Sequence, residues 1–359
     1  MNADLRKWIA GLMACLLLLG SGGTVLAAEQ NGGHAYSEYA AVHTQESRPQ
    51  EEIRIRGTEY SRADDAALTV VDCAGVPGLA TGDNGFVEWR FDAPAAGLYN
   101  MEISYYPLSG KGNAIQRVLY INDEVPFDEL SSVSFSRVYT DAGSEKRYDA
   151  AGNELRPEQV EVFRVEKHTL CGSEYNAGEA VSISLKAGEN TVAMRGIAEP
   201  MAVCEIRFHQ KQPEPSYAEA SAAYTFPVAE EPIRLEGEAA TYRSDKSLYA
   251  VCDRSSGQSS PMALGKTVLN AVGGSNWKEP LQYIEWEFTV PRDGLYQLVI
   301  RGKQDITPGQ ISSRRLYIDG EVPFAEAREL SFPYGLGFRN FVPGKDGTAY
   351  RFALTAGRH

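Results

Sequence analysis

The chain has 359 residues, 43% of them hydrophobic, and its 48 acidic against 35 basic side chains give a formal net charge of −13. Such an acidic surface repels phosphate backbones and anionic lipids, which excludes nucleic acid as an expected partner. Its five cysteines form no CxxC pair and no Cys/His group at zinc spacing.

The first segment reads as a targeting signal. Arg6 and Lys7 precede a mostly apolar stretch from Trp8 to Leu19, and Val25-Leu26-Ala27 supplies small residues suited to cleavage beside Ala28. The apolar run is too short and glycine-broken for a membrane span. Cys15 would be the anchor of a lipoprotein, but it lies inside the apolar run rather than at its end. The expectation is a signal peptide over 1–28 and a secreted, extracellular chain that does not span the membrane. Loss of Asp4, Arg6 and Lys7 leaves a net charge of −14.

The mature sequence contains one unit twice. Gly97-Leu98-Tyr99 recurs as Gly294-Leu295-Tyr296, and Leu119-Tyr120-Ile121 with Glu124-Val125-Pro126-Phe127 recurs as Leu316-Tyr317-Ile318 with Glu321-Val322-Pro323-Phe324, both at an offset of 197. Shared spacing over such a stretch marks a duplicated domain. Each unit opens on a polar-aromatic segment, Tyr36-Ser37-Glu38-Tyr39 and Tyr217-Ala218-Glu219. Ile53-Arg54-Ile55 follows in the first, matched by Ile233-Arg234-Leu235 at an offset of 180. The second copy therefore carries about 17 extra residues around Ser255 to Lys278. Later, Leu185-Lys186-Ala187-Gly188 matches Leu354-Thr355-Ala356-Gly357 at 169, so the first copy holds 28 extra residues around Asp141 to Gly172. Insertions on a fixed scaffold are where function diverges.

Strand patterning runs through both copies. Val87, Trp89 and Phe91 alternate with Glu88 and Arg90; Tyr99, Met101 and Ile103 alternate with Asn100, Glu102 and Ser104. Ile284, Trp286 and Phe288, then Tyr296, Leu298 and Ile300, repeat the pattern. A period of two is the mark of half-buried strands, and Asn122-Asp123 and Asp319-Gly320 suit two-residue hairpin turns. The predicted fold is all-β: two tandem antiparallel β-sandwiches of jelly-roll, galactose-binding-like type, over 29–212 and 213–359. The closing strands of the first copy, Thr191 to Arg195 and Met201 to Phe208, have no partner in the second. The second sandwich is thus expected to be incomplete by at least 18 residues, as in a fragment. Cys73 and Cys252 fall at nearly equivalent places, while Cys171 and Cys204 share a unit and would pair in an oxidising compartment or stay as buried thiols.

The run Val87-Glu88-Trp89, Gly97-Leu98-Tyr99, Tyr105-Tyr106-Pro107, Pro126-Phe127 and Gly152-Asn153-Glu154-Leu155-Arg156-Pro157 resembles the N-terminal region of large extracellular solute-binding proteins of Gram-positive bacteria. Asp253-Arg254-Ser255-Ser256, Gly273-Gly274-Ser275-Asn276-Trp277 and Asp293-Gly294-Leu295-Tyr296 fit the second half of that region. In that family two galactose-binding-like sandwiches precede the substrate-binding domain of an ABC sugar importer. The resemblance implies a carbohydrate ligand, an oligo- or polysaccharide, and an ABC permease as partner. Each unit is also similar, more distantly, to jelly-roll carbohydrate-binding modules. A structural or partner-docking role at the cell surface and the accessory region of a glycoside hydrolase are the alternatives.

Sugar binding needs flat aromatic faces with amides and charged groups beside them. Trp277, in a Gly-Ser-Asn loop of the longer copy, is the candidate platform or else a plug at the sandwich end. Asn276 and Arg254 are candidates for bonding hydroxyls, or are turn and surface residues. Tyr106 is the candidate exposed ring, with Tyr105 turned inward. Glu236-Gly237-Glu238 on the first strand of copy two resembles the Glu-x-Glu that holds a structural Ca²⁺ in jelly-roll modules, or is an exposed acidic strand. Copy one has Arg56-Gly57-Thr58 there. There is no Gly-x-Ser-x-Gly, HExxH or phosphate loop, and the five histidines are scattered, so no enzyme activity is expected.

Overall fold

The structure is a computed structural model that describes residues 34–143, 145–172, 179–257, 259–262 and 264–359. The expected signal segment, 1–28, lies outside the described residues. Residues 34–359 form one compact unit. Helix α1 (Tyr36–Val42) leads into β1 (Ile53–Arg56), β2 (Arg62–Asp64), β3 (Thr69–Cys73), β4 (Val76–Thr81), β5 (Phe86–Ala93), β6 (Gly97–Pro107), β7 (Ile115–Ile121), β8 (Val133–Phe135) and β9 (Val138–Asp141). Then follow β10 (Arg147–Tyr148), β11 (Glu154–Leu155), β12 (Gln159–Val162), β13 (Glu166–Thr169), β14 (Ser182–Leu185), β15 (Gly188–Ala198) and β16 (Met201–His209).

These strands build an antiparallel β-sandwich. One sheet runs β13-β6-β16-β4-β3, with β1 on β16 and β14 on β6; the other runs β2-β5-β15-β7-β8. Alternation decides which residues face inward. Val87, Trp89 and Phe91 of β5 meet Tyr99, Met101 and Ile103 of β6 in one core with Leu119, Ile121, Val192, Ile206 and Phe208. Trp89 is fully buried and its indole N–H donates to the Gly57 carbonyl at 2.7 Å. The expected two-residue turn forms after β7, with Asn122 and Asp123 at φ 50° and 67°, which lets the chain reverse with the right-handed twist of its strands.

The second half continues through α2 (Tyr217–Ala222), β17 (Tyr242–Arg243), β18 (Ala250–Val251), β19 (Ala271–Val272), β20 (Ile284–Glu285), β21 (Thr289–Val290), β22 (Gly294–Gln297), β23 (Ile300–Gln304), β24 (Ile311–Arg314) and β25 (Leu330–Pro333). It ends with β26 (Gly335–Phe341), β27 (Gly344–Lys345), β28 (Thr348–Ala349), β29 (Arg351–Leu354) and β30 (Gly357–Arg358). The duplication holds to the level of register. Gly97 pairs with Leu185 and Gly294 with Leu354; Arg117 pairs with Val133 and Arg314 with Leu330. Single hydrogen bonds repeat as well. The Tyr99 hydroxyl donates to the Ala95 carbonyl and Tyr296 to Arg292, while Trp89 and Trp286 donate to the carbonyls of Gly57 and Gly237. The Tyr36 and Tyr217 amides each donate to a carboxylate, Glu129 and Glu326, of a following 3-10 turn.

Two expectations need correction, and one open alternative is decided. Glu236 and Glu238 are not on a first strand. Residues 237–239 form a 3-10 turn; Ile53–Arg56 is held as a strand by β16, whereas among the described residues no strand pairs with Ile233 onward. Of the two alternatives for Cys171 and Cys204, the structure has the free thiols. Cys204 lies instead with Cys73, Ala80 and Ala202 on the outer face of the larger sheet, whereas Cys171 sits beyond β13 in a bridge with Ala180. Finally, Trp286, at core phase, is only half-buried where its counterpart Trp89 is sealed. The second core is smaller, centred on Val290, Phe324, Tyr350, Phe352 and Leu354.

Candidate functional site

Trp277 closes a 3-10 turn, Gly274–Asn276, in the long loop before β20. The ring is half-buried. Its N–H donates to the Gln282 carbonyl at 3.2 Å, and the Arg314 guanidinium lies 4.5 Å above its centroid while donating to the Trp277 carbonyl. Burial holds the Arg314 pKa below its usual value. One stacking face of the indole is thus already taken by a cation. The Asn276 amide donates to the Ser247 carbonyl at 3.0 Å, and exposed Arg254 donates to the Thr267 hydroxyl at 3.1 Å. Tyr106 is half-buried; its ring lies 6.3 Å from Phe163 and roofs the Cys73–Cys204 cluster. The structure does not bring these four residues into one constellation.

Glu236 pairs with Arg234 at 2.8 Å. Burial, with the nearby charges of Glu236 and Glu154, pushes the Glu238 carboxyl above the usual range. Glu154 itself pairs with Lys146 at 2.9 Å and accepts the Leu269 amide at 2.8 Å. Among the described residues no group of three or more His, Cys, Asp or Glu is placed to hold a metal ion.

The two insertions meet each other. The Glu154 amide donates to the Thr267 carbonyl, and the Thr267 amide donates to the Asn153 side chain. Arg156 stacks on Tyr249 with 3.4 Å to the centroid. A four-stranded sheet, β12-β9-β17-β20, crosses the expected boundary at 212. At its edge Arg164, between β12 and β13, bonds Glu285 at 2.8 Å and pairs with Glu166, and within it Arg243 bonds Asp141 at 3.1 Å. Much of the insertions' polar composition is therefore spent on holding the halves together.

A different surface offers aromatic rings to solvent. On the outer face of the smaller sheet, Arg195 stands opposite both Phe86 and Val118, and Ala193 opposite both Glu88 and Tyr120. The Phe86 and Tyr120 rings are half-buried and 6.2 Å apart at 61°, on a diagonal across β15. Guanidinium groups lie over the Phe86 ring, Arg62 at 5.2 Å and Arg195 at 5.1 Å, so the Tyr120 ring beside it is the better stacking surface of the pair. Arg62 in turn bonds the Glu88 carboxylate at 2.9 Å. The result is a pair of partly exposed rings with charged hydrogen-bonding groups beside them. Sequence reasoning passed over it, yet a signal was there. Phe86 and Tyr120 occupy the polar phase of strands whose other phase is apolar, and the counterparts, Tyr283 and Tyr317, are aromatic again.

No protein-family model matches the sequence, and no curated protein matches it. Among solved structures it is similar to a family 35 carbohydrate binding module from Clostridium thermocellum, at 15% identity and TM-score 0.26 over 45% of this chain and 99% of that one. It is similar to the C-terminal CBM6 of LamC from Zobellia galactanivorans, at 11% identity and TM-score 0.25 over 45% and 100%. It is also similar to an exo-beta-1,3-galactanase from Phanerochaete chrysosporium, at 11% and TM-score 0.26, where it spans 30% of that chain. At such identities and scores the likeness carries no statement about a ligand. Among the described residues no helix is long and apolar enough to cross a membrane.

His168 adds a pH-sensitive element beneath this sandwich. Its ring packs 4.8 Å from Phe135, and burial pushes its pKa down to about 4. The unfolded chain then binds this proton more readily than the folded one, so stability falls as pH drops from about 6.5 towards 4. A full shift of that size corresponds to about 3 kcal/mol, and the partial exposure of the ring reduces it to about 1–2 kcal/mol. Urea titrations at pH 7 and 4.5 are expected to show this loss, with His168→Gln removing that part of it. An unchanged pH profile in the variant would refute the assignment.

Proposed function

We propose that the chain is an exported, non-catalytic carbohydrate-binding protein made of two β-sandwich modules, and that the outer face of the β2-β5-β15-β7-β8 sheet is its binding face. The observation that carries this reading is the pair Phe86 and Tyr120, half-exposed side by side between Arg62 and Arg195. A pyranose offers an apolar face to rings and hydroxyls to charged or amide groups, and this face supplies both. In the wider proposal the ligand is an oligo- or polysaccharide captured for an ABC importer, as the family resemblance implies.

The test is a glycan array probed with the full chain, followed by titration of the best ligand. Phe86→Ala and Tyr120→Ala are each expected to weaken binding about tenfold, or ~1.4 kcal/mol, with little change in melting temperature. Trp277→Ala is expected to lower the melting temperature and leave affinity intact, since bonds to Gln282 and Arg314 spend that residue on holding its own loop. Silence of the unmodified chain on every glycan would sink the carbohydrate reading. Unaltered affinity in the Phe86/Tyr120 double variant would sink this face.

A further inference from the structure

The turn 82–85 carries the chain from β4 in the larger sheet to β5 in the smaller one, and it contains Asn84-Gly85. Among the described residues no other asparagine is followed by glycine; Asn31-Gly32 lies outside them. Asn84 is exposed, and its side chain enters no hydrogen bond among the described residues. Every other described asparagine, from Asn100 to Asn340, uses its side-chain amide in at least one. The packing also requires glycine at 85. A Cβ there would stand 2.1 Å from the Asp65 carboxyl group, which is fixed by the amides of Ala67 at 2.8 Å and Gly82 at 2.7 Å. A free asparagine amide and an unhindered glycine are thus held next to each other by the fold.

We propose that Asn84-Gly85 is a self-modification site, at which the folded chain converts Asn84 to isoaspartate. The chemistry needs only water and hydroxide. The Gly85 nitrogen gives its proton to hydroxide and attacks Asn84 Cγ. A bond forms between them, the Cγ–Nδ2 bond breaks, and the nitrogen leaves as ammonia after taking a proton from water. Water then opens the succinimide ring at either carbonyl, giving aspartate or isoaspartate. A side chain on the following residue hinders the attack, and a hydrogen bond on the asparagine amide must first be broken at about 1 kcal/mol. Neither obstacle stands at Asn84, and glycine lets the main chain turn into the attacking geometry. Isoaspartate puts an extra main-chain carbon just ahead of β5. The Gly196 amide donates to the Gly85 carbonyl at 2.7 Å and Phe86 follows directly, so the change reaches the first rung of β5 on β15. It also sets a new carboxylate beside Asp83. The modification is independent of any glycan on the Phe86–Tyr120 face.

The test is ageing of the full chain in mildly alkaline buffer at physiological temperature, followed by tryptic mapping and enzymatic methylation of isoaspartate. The peptide from Ala63 to Arg90 holds Asn84 as its one asparagine. It is expected to gain the mass of an amide-to-acid exchange, with isoaspartate in it, about tenfold faster than peptides holding the asparagines from Asn100 to Asn340. The melting temperature of the aged chain is expected to fall by about 2 °C, the effect of one lost backbone bond. Asn84→Ser, which keeps Gly85, is expected to show neither change on ageing. Reaction at Asn84 no faster than at the other asparagines, or reaction there only in urea, overturns the inference. Full conversion with an unchanged melting temperature overturns the claim that it reaches β5.

Discussion

Arg117→Met is expected to destabilise the first half by about 3–5 kcal/mol, while the equivalent change Arg314→Met costs about 1 kcal/mol. Arg117 sits at the apolar phase of β7, between Ile115 and Leu119, and is 1% exposed. Its guanidinium donates to the carbonyls of Gln116, Ala198, Glu199 and Gly82 and to the Thr81 hydroxyl, at 2.8–3.2 Å. It thereby ties two other segments of the chain, 81–82 and 198–199, to β7. Burial draws its pKa down to about 10, partly offset by Asp65 and Asp83, so it is still charged at neutral pH. Methionine keeps much of the stem volume but leaves several carbonyls without a donor. Each orphaned buried group costs about 1 kcal/mol or more, which accounts for the total. Arg314 keeps the register but donates outside its own strand to one carbonyl, that of Trp277, and lies on a half-buried ring. Thermal melts of the two variants read the difference as a loss of about 10 °C against a few degrees. Equal losses would mean that the carbonyl cage contributes nothing.

Trp89→Ala is expected to cost about 3–5 kcal/mol, against about 1–2 kcal/mol for Trp286→Ala. The two residues hold the same position in their copies and make the same indole-to-carbonyl bond, to Gly57 and Gly237. They differ in what surrounds the ring. Trp89 is sealed among Val87, Met101, Leu119 and Met194, so its loss leaves a cavity that close-packed neighbours cannot fill. Trp286 is half-exposed, and water takes the place of the ring at little cost. Urea titrations of both variants give the comparison. A Trp286→Ala cost as large as that of Trp89→Ala would show the second core to be as closed as the first.

The sequence alone determined the duplication, the strand phases, the hairpin turns and the all-β class. These rest on local rules: a period of two puts Trp89 inward whatever its neighbours, and Asn122-Asp123 turns the chain by its own tolerance of positive φ. Only the tertiary structure decided what identical local patterns become. Ile53–Arg56 is a strand because β16 lies beside it, and the matching Ile233 segment is not, because a strand's hydrogen bonds lie outside itself. Trp277 in a loop of glycine and asparagine reads as a platform until Arg314, 37 residues on, is found over its ring. Asn153 and Glu154 read as a free insertion until Thr267 and Leu269 supply their partners. Phe86 and Tyr120 gain meaning only side by side, since three-strand register sets their 6.2 Å spacing on a diagonal across β15. Periodicity fixes the direction of a side chain; what stands in that direction comes from chain segments far away in sequence, and no local rule encodes it.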